Sequence, residues 1–220
     1  MPGSLKASRS MKEIRILCYG DSNTFGVNAE DGSRFPADSR WPSVMAQHLG
    51  TGATVIEEGC NGRTILDVNP FDELRNGTAY FPCCIDNHNP VDLIIVYLGI
   101  NDLFFSANME VRRIAETLGS LISIAGERSR DREGEPARLL VIAPPPVNPA
   151  MTYAGYYARE IKNSLQFSVE YGRIAQLYGC LFIDAGKIIQ AVESDGVHLD
   201  AENHRKLGLH VASYVRYNME

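Results

Sequence analysis

With 220 residues, 45% of them hydrophobic and 22% charged, the chain fits one globular domain with room for a substantial core. Its 21 basic and 27 acidic residues leave a net charge of −6, which argues against the clustered Lys and Arg of a nucleic-acid footprint and against attraction to anionic membrane surfaces. No run approaches the ~20 apolar residues that span a bilayer, so neither nucleic acid nor membrane is expected as a partner.

Residues 1–12 are small and polar without an apolar stretch, and read as a disordered leader or expression remnant rather than a signal peptide. Residues 13–220 read as one domain. Five short runs, 14–19, 54–57, 93–98, 139–143 and 181–184, read as strands. Four of them are near-continuous Val, Ile and Leu, as in strands covered on both faces. Helical patterns lie between them over 41–49, 111–125 and 153–178, and a last one covers 201–217. The 153–178 pattern has an apolar stripe of Ile161, Leu165, Val169, Ile174 and Leu177. Strands alternating with helices predict an α/β protein, a three-layer α/β/α sandwich around a five-stranded parallel sheet. Residues 28–39, 67–89 and 127–136 read as loops. The second carries Phe71, Tyr80 and Phe81, and aromatics on a long polar loop point to a site cover or a subunit contact, hence a homo-oligomer.

The five cysteines (Cys18, Cys60, Cys83, Cys84, Cys180) are odd in number and follow no secretory signal, so reduced thiols and a cytoplasmic setting are expected. Cys83-Cys84 lacks the spacing of a zinc site, and no second pair completes one. His48 and His88 read as structural, and His204 and His210 are six apart and share no helix face. No G-x-x-x-x-G-K-[ST] or G-x-G-x-x-G occurs, so nucleotide binding lacks its signatures, and neither metal nor cofactor is expected.

Four short blocks follow successive predicted strands, which gathers them along one sheet edge, where open α/β sheets bind ligands. In Gly20-Asp21-Ser22-Asn23 a serine sits in the turn after the first strand. It is either a nucleophile or an ordinary turn and helix cap. Gly59-Cys60-Asn61-Gly62-Arg63-Thr64 offers a Gly62 N–H toward a substrate carbonyl, or is simply a loop that needs glycine. In Gly99-Ile100-Asn101-Asp102, Asn101 offers a side-chain amide donor and Asp102 reads as a cap of the following helix. Asp195-Gly196-Val197-His198 places a carboxylate three residues before a histidine, able to fold back and fix its tautomer. Together, Ser22 as nucleophile, His198 as base, Asp195 as its orienter and N–H donors around them make an acyl-transfer set. The G-x-S-x-G elbow of α/β-hydrolases is missing.

As an ordered set these blocks resemble those of the SGNH hydrolases, the GDSL-type esterases, over nearly the whole domain. The resemblance implies a flavodoxin-like fold, a triad of Ser22, Asp195 and His198, and an oxyanion hole made by the Ser22 N–H, the Gly62 N–H and the Asn101 side chain. Arg40-Trp41, residues 55–59, Asn76-Gly77 with Tyr80, and residues 143–146 are most similar to the bacterial arylesterase/acyltransferase branch, which implies short acyl esters, possible acyl transfer and oligomers. Asn23 stands where the family name has Leu. Asn23, Arg63, Ile100 and Val197 are the substrate-pocket candidates, with Asn61, Asp102 and the Pro144-Pro145-Pro146 loop as further contacts. The expected activity is a serine esterase on acetyl-type esters of aryl alcohols or carbohydrates. Alternatives are a lysophospholipase or thioesterase with a channel roofed by Phe104, Phe105, Tyr80 and Phe81, a non-catalytic binding module, or a flavodoxin-like electron carrier.

Overall fold

Strand β1 (Ile14–Gly20) lies inside the sheet, paired in parallel with β2 (Ala53–Gly59) on one side and β3 (Leu93–Tyr97) on the other. β4 (Arg138–Ala143) and β5 (Leu181–Asp184) extend it, so the five strands run in the order β2-β1-β3-β4-β5, all parallel. The structure is a computed structural model that describes residues 13–219 apart from 67, 68, 71 and 107. Phe71 and the leader expected over residues 1–12 therefore lie outside the described residues.

Both faces of the inner strands are buried, which explains their unbroken apolar sequences. Side chains alternate between the faces. Leu17, Tyr19, Ile94, Val96 and Val141 join a core with α3 (Gly77–His88), α5 (Val111–Arg128) and α7 (Phe167–Tyr178). Ile16, Cys18, Ile95, Tyr97 and Ile142 join a second core with α2 (Trp41–Leu49) and α8 (Ala201–Met219). The three-layer sandwich and parallel sheet expected from the sequence are thus present. β2 is an edge strand whose residues are all only partly buried, which accounts for its mixed sequence. Among the described residues no helix is long and apolar enough to cross a membrane.

Two expectations need correction. The segment 67–89 is not one long loop, because its second half is α3. Asn76 caps that helix through hydrogen bonds from the Thr78 and Ala79 N–H groups, and Phe81, Cys84 and Ile85 bury at helical spacing. Phe81 is fully buried, its ring 4.5 Å from that of Tyr19, so it is core and not the roof of a channel or part of a subunit contact. The helix expected over 153–178 is in fact turns followed by α6 (Ala158–Ser164) and α7. Phe167, Tyr171, Ile174 and Ala175 form the buried face of α7, while Leu165, Val169 and Leu177 face solvent. The larger rings took the core, and the break at Leu165-Gln166 splits the expected stripe, leaving Ile174 buried and Ile161 against the core while Leu165, Val169 and Leu177 turn outward.

Candidate active site

The four blocks all reach the carboxyl edge of the sheet. Gly20 ends β1 and admits no side chain: a Cβ there would lie 2.0 Å from Thr24 Oγ1 and 2.8 Å from the Tyr97 carbonyl. The chain then turns into the short helix α1 (Ser22–Phe25), capped by Asp21 Oδ1, which accepts from the Asn23 N–H at 2.9 Å. The cap holds Ser22 at the start of the helix, 5% exposed.

From the opposite end of the chain, residues 195–198 return to Ser22. His198 Nε2 lies 2.9 Å from Ser22 Oγ, and His198 Nδ1 lies 2.6 Å from Asp195 Oδ2. Asp195 Oδ1 accepts from the N–H groups of Val197 (2.9 Å) and His198 (3.0 Å), so the tight turn itself aims the carboxylate. Partial burial pushes the Asp195 carboxyl up, but the hydrogen bonds from the His198 ring and from these two N–H groups outweigh it and hold it at about 2. An ionised carboxylate only accepts, so Nδ1 carries the hydrogen and Nε2 is left to accept from the Ser22 hydroxyl.

Gly62 takes φ +71°, a left-handed turn that favours glycine. Its carbonyl accepts from Asn69 Nδ2 at 2.7 Å, and Arg75 Nη1 donates to the neighbouring Asn61 carbonyl. Among the described residues no internal acceptor takes the N–H of Ser22 or Gly62. Asn101, in the first turn of α4 (Ile100–Phe105), donates one amide hydrogen to the Arg63 carbonyl at 3.0 Å and keeps a second.

Several predicted residues sit elsewhere than expected. Asn23 is 3% exposed and uses both ends of its amide on the His198 loop. Nδ2 donates to the Val197 carbonyl (3.2 Å), and Oδ1 accepts from the Leu199 N–H (3.1 Å). It ties the nucleophile turn to the loop of the base, and its side chain is not free to line a pocket. Arg63 is 5% exposed and turned inward. It donates to the carbonyls of Gly20 (2.9 Å) and Glu58, with its guanidinium 4.2 Å from the centre of the Tyr19 ring. Ile100, 4% exposed, belongs to the core. Val197 stays partly buried beside His198. Asp102 does not cap α4: its carboxylate reaches across to accept from the N–H groups of Ile65 (3.0 Å) and Leu66 (2.7 Å), pinning the chain that follows Gly62. Burial pushes Asp102 up to about 7 and Asp21 up to about 6.

Chemically, a serine hydroxyl donating to an imidazole that an ionised carboxylate orients, with N–H groups alongside, suits nucleophilic acyl transfer. The GDSL-like lipase/acylhydrolase family matches the chain over residues 18–207. A carbohydrate acetylesterase from Sinorhizobium meliloti, Est24, is 32% identical, with a TM-score of 0.84, 93% of this chain covered and 99% of that one. An aryl esterase of M. smegmatis is 34% identical at the same TM-score and coverage. A second S. meliloti structure, a carbohydrate acetylesterase family member, is 32% identical, with a TM-score of 0.85, covering 93% of this chain and 98% of that one. A comparison with curated proteins gives no significant match. The chain belongs to the GDSL-like lipase/acylhydrolase family, the SGNH hydrolases. It is a carboxylic ester hydrolase of the arylesterase branch.

Proposed function

We propose that this esterase cleaves short-chain, acetyl-type esters of aryl alcohols or carbohydrates through an acyl-serine intermediate on Ser22. The observation that carries the reading is the hydrogen-bonded chain Ser22 Oγ, His198 Nε2, His198 Nδ1, Asp195 Oδ2, with spacings of 2.9 and 2.6 Å at its two links. Ser22 Oγ attacks the ester carbonyl as its proton passes to His198 Nε2. The carbonyl electron pair moves to the oxygen, where the N–H groups of Ser22 and Gly62 and the second amide hydrogen of Asn101 meet it. As the tetrahedral species collapses, the C–O bond to the alcohol breaks and His198 returns the proton to the leaving oxygen. Water, activated by the same imidazole, then releases the acid. An alcohol entering in place of water gives acyl transfer.

Support for the substrate class comes from two sides. The similar structures carry the names aryl esterase and carbohydrate acetylesterase. Phe81, one of the four aromatics a long acyl channel would use, is packed into the core. Turnover of p-nitrophenyl esters from C2 to C12 tests the reading. The expected kcat/KM is highest at C2 and falls with length, and Ser22→Ala abolishes turnover without unfolding the chain. A preference for C8 or longer contradicts the acyl-chain assignment, and undiminished turnover by Ser22→Ala contradicts the nucleophile.

A further inference from the structure

The other face of β2 carries a second cluster. Glu57 and Glu58 are consecutive strand residues and project to opposite faces. Glu57 takes Arg34, Arg40 and Ser43, whereas Glu58 faces α3. On that helix Tyr80, Cys84 and His88 recur at every fourth position and so share a face. A carboxylate oxygen of Glu58, the Cys84 sulfur and a ring nitrogen of His88 all lie within 4.8 Å of one another. His88 Nε2 is 2.7 Å from Glu58 Oε1, and Tyr80 OH is 3.5 Å from Glu58 Oε2. Cys84 is fully buried, while the His88 and Glu58 side chains are 26% and 21% exposed, so the thiol floors a cluster that opens to solvent at its other two members.

We propose that Glu58, Cys84 and His88 bind a zinc-class divalent cation at a site separate from Ser22 and His198. A thiolate, an imidazole and a carboxylate are the donors that suit Zn²⁺, whereas Mg²⁺ and Ca²⁺ require all-oxygen shells. Tetrahedral bonds of about 2.0–2.3 Å put neighbouring ligand atoms about 3.3–3.6 Å apart. That separation falls between the 2.7 Å of the His88–Glu58 contact and the 4.8 Å outer limit of the cluster, so small side-chain rotations form the shell. A fourth position stays open to water. The Glu58 carboxylate and the Cys84 thiolate balance the charge of the ion. On binding, the Cys84 S–H bond breaks, a sulfur–metal bond forms and the proton leaves to solvent. The hydrogen bond between His88 and Glu58 is exchanged for two metal bonds, with the imidazole hydrogen on Nδ1. The ion staples α3 to the end of β2, a structural task in which it touches none of the reacting atoms.

The pairing is invisible in the sequence because Cys83-Cys84 draws attention to the wrong neighbour, and the carboxylate lies 30 residues before His88. The test is titration of the metal-stripped full chain with Co²⁺ and Zn²⁺. One equivalent binds, Co²⁺ gives a thiolate-to-metal charge-transfer band, and Zn²⁺ raises the thermal midpoint. Cys84→Ser removes the band, and His88→Gln lowers affinity at least tenfold, while Cys83→Ser and Ser22→Ala keep both signals. Uptake well below one equivalent, a band that survives Cys84→Ser, or undiminished affinity in His88→Gln overturns the proposal. His88 lies at the solvent edge, so its variant decides the matter even where Cys84→Ser fails to fold.

Discussion

Asn23 joins two parts of the site that lie 176 residues apart in the chain, at Leu199, and 174 apart at Val197. Its amide brackets His198, one hydrogen bond before the imidazole and one after it. Leucine, the residue in the family name, offers neither bond and leaves the buried Leu199 N–H without its partner, at a cost of about 1–3 kcal/mol. Asn23→Leu is expected to lower kcat about 10- to 100-fold on a short ester, since small misplacements of a reacting group are costly, with KM little changed. Asn23→Asp, which keeps the bond from Leu199, is expected to fall between the two. Steady-state kinetics of both variants check this, and an unchanged kcat in Asn23→Leu contradicts the positioning role. Ser22 and Asn101 stand out in the sequence because each follows a strand-like run within a few residues, and Asp195 and His198 because a carboxylate precedes an imidazole by three residues around Gly196. The contacts of Asn23, Arg63 and Asp102 are not legible in the sequence for a common reason: their partners are backbone groups distant in the chain, and no local pattern announces such a contact.

At the level of elements, the strands were legible because two buried faces force continuous Val, Ile and Leu. The helix α3 was not, because Gly77, Thr78, Pro82 and two cysteines give it a loop-like composition. What makes it a helix is the Asn76 cap and the burial of Phe81, Cys84 and Ile85 against β1 and α5. This predicts a contrast measurable by denaturant unfolding. Phe81→Ala removes a fully buried ring and is expected to cost about 3–5 kcal/mol. Val169→Ala, at a position 71% exposed on α7, is expected to change stability by no more than about 0.5 kcal/mol. Similar costs for the two would mean that α3 does not carry the core as described. The split between α6 and α7 is not visible to periodicity for a related reason: Leu165, Val169 and Leu177 repeat at helical spacing as the buried residues do, and tertiary packing against α5, β4 and β5 selects Phe167 and Tyr171.

Over the whole molecule, the buried titratable groups shape the pH dependence of stability, the carboxyls most of all. Burial lifts Asp21 to about 6 and Asp102 to about 7 from an ordinary value of 3.8. A raised pKa in the folded chain means that the proton favours folding. The contribution of this pair is therefore full below about pH 4 and is lost as pH rises through about 6–7. Asp195 acts in the opposite sense: held at about 2, its contribution is present above about pH 4 and lost as pH falls toward 2. Buried His204, lowered to about 4 by burial, opposes the pair between about pH 4 and 6.5, but the two carboxyls together are shifted further, so the thermal midpoint is expected to be lower at pH 8 than at pH 5, and a midpoint that climbs steadily from pH 5 to 8 contradicts the assignment. The same two acids hold the framework of the site, Asp21 by capping α1 and Asp102 by anchoring Ile65 and Leu66. Framework and chemistry meet in the claim that Ser22 is the nucleophile, and covalent capture tests it most directly. Treated with an activated organophosphonate ester and mapped by peptide mass spectrometry, the protein is expected to carry one adduct, on Ser22, with activity lost in proportion to labelling. An adduct on another residue, or full activity with Ser22 modified, would contradict it.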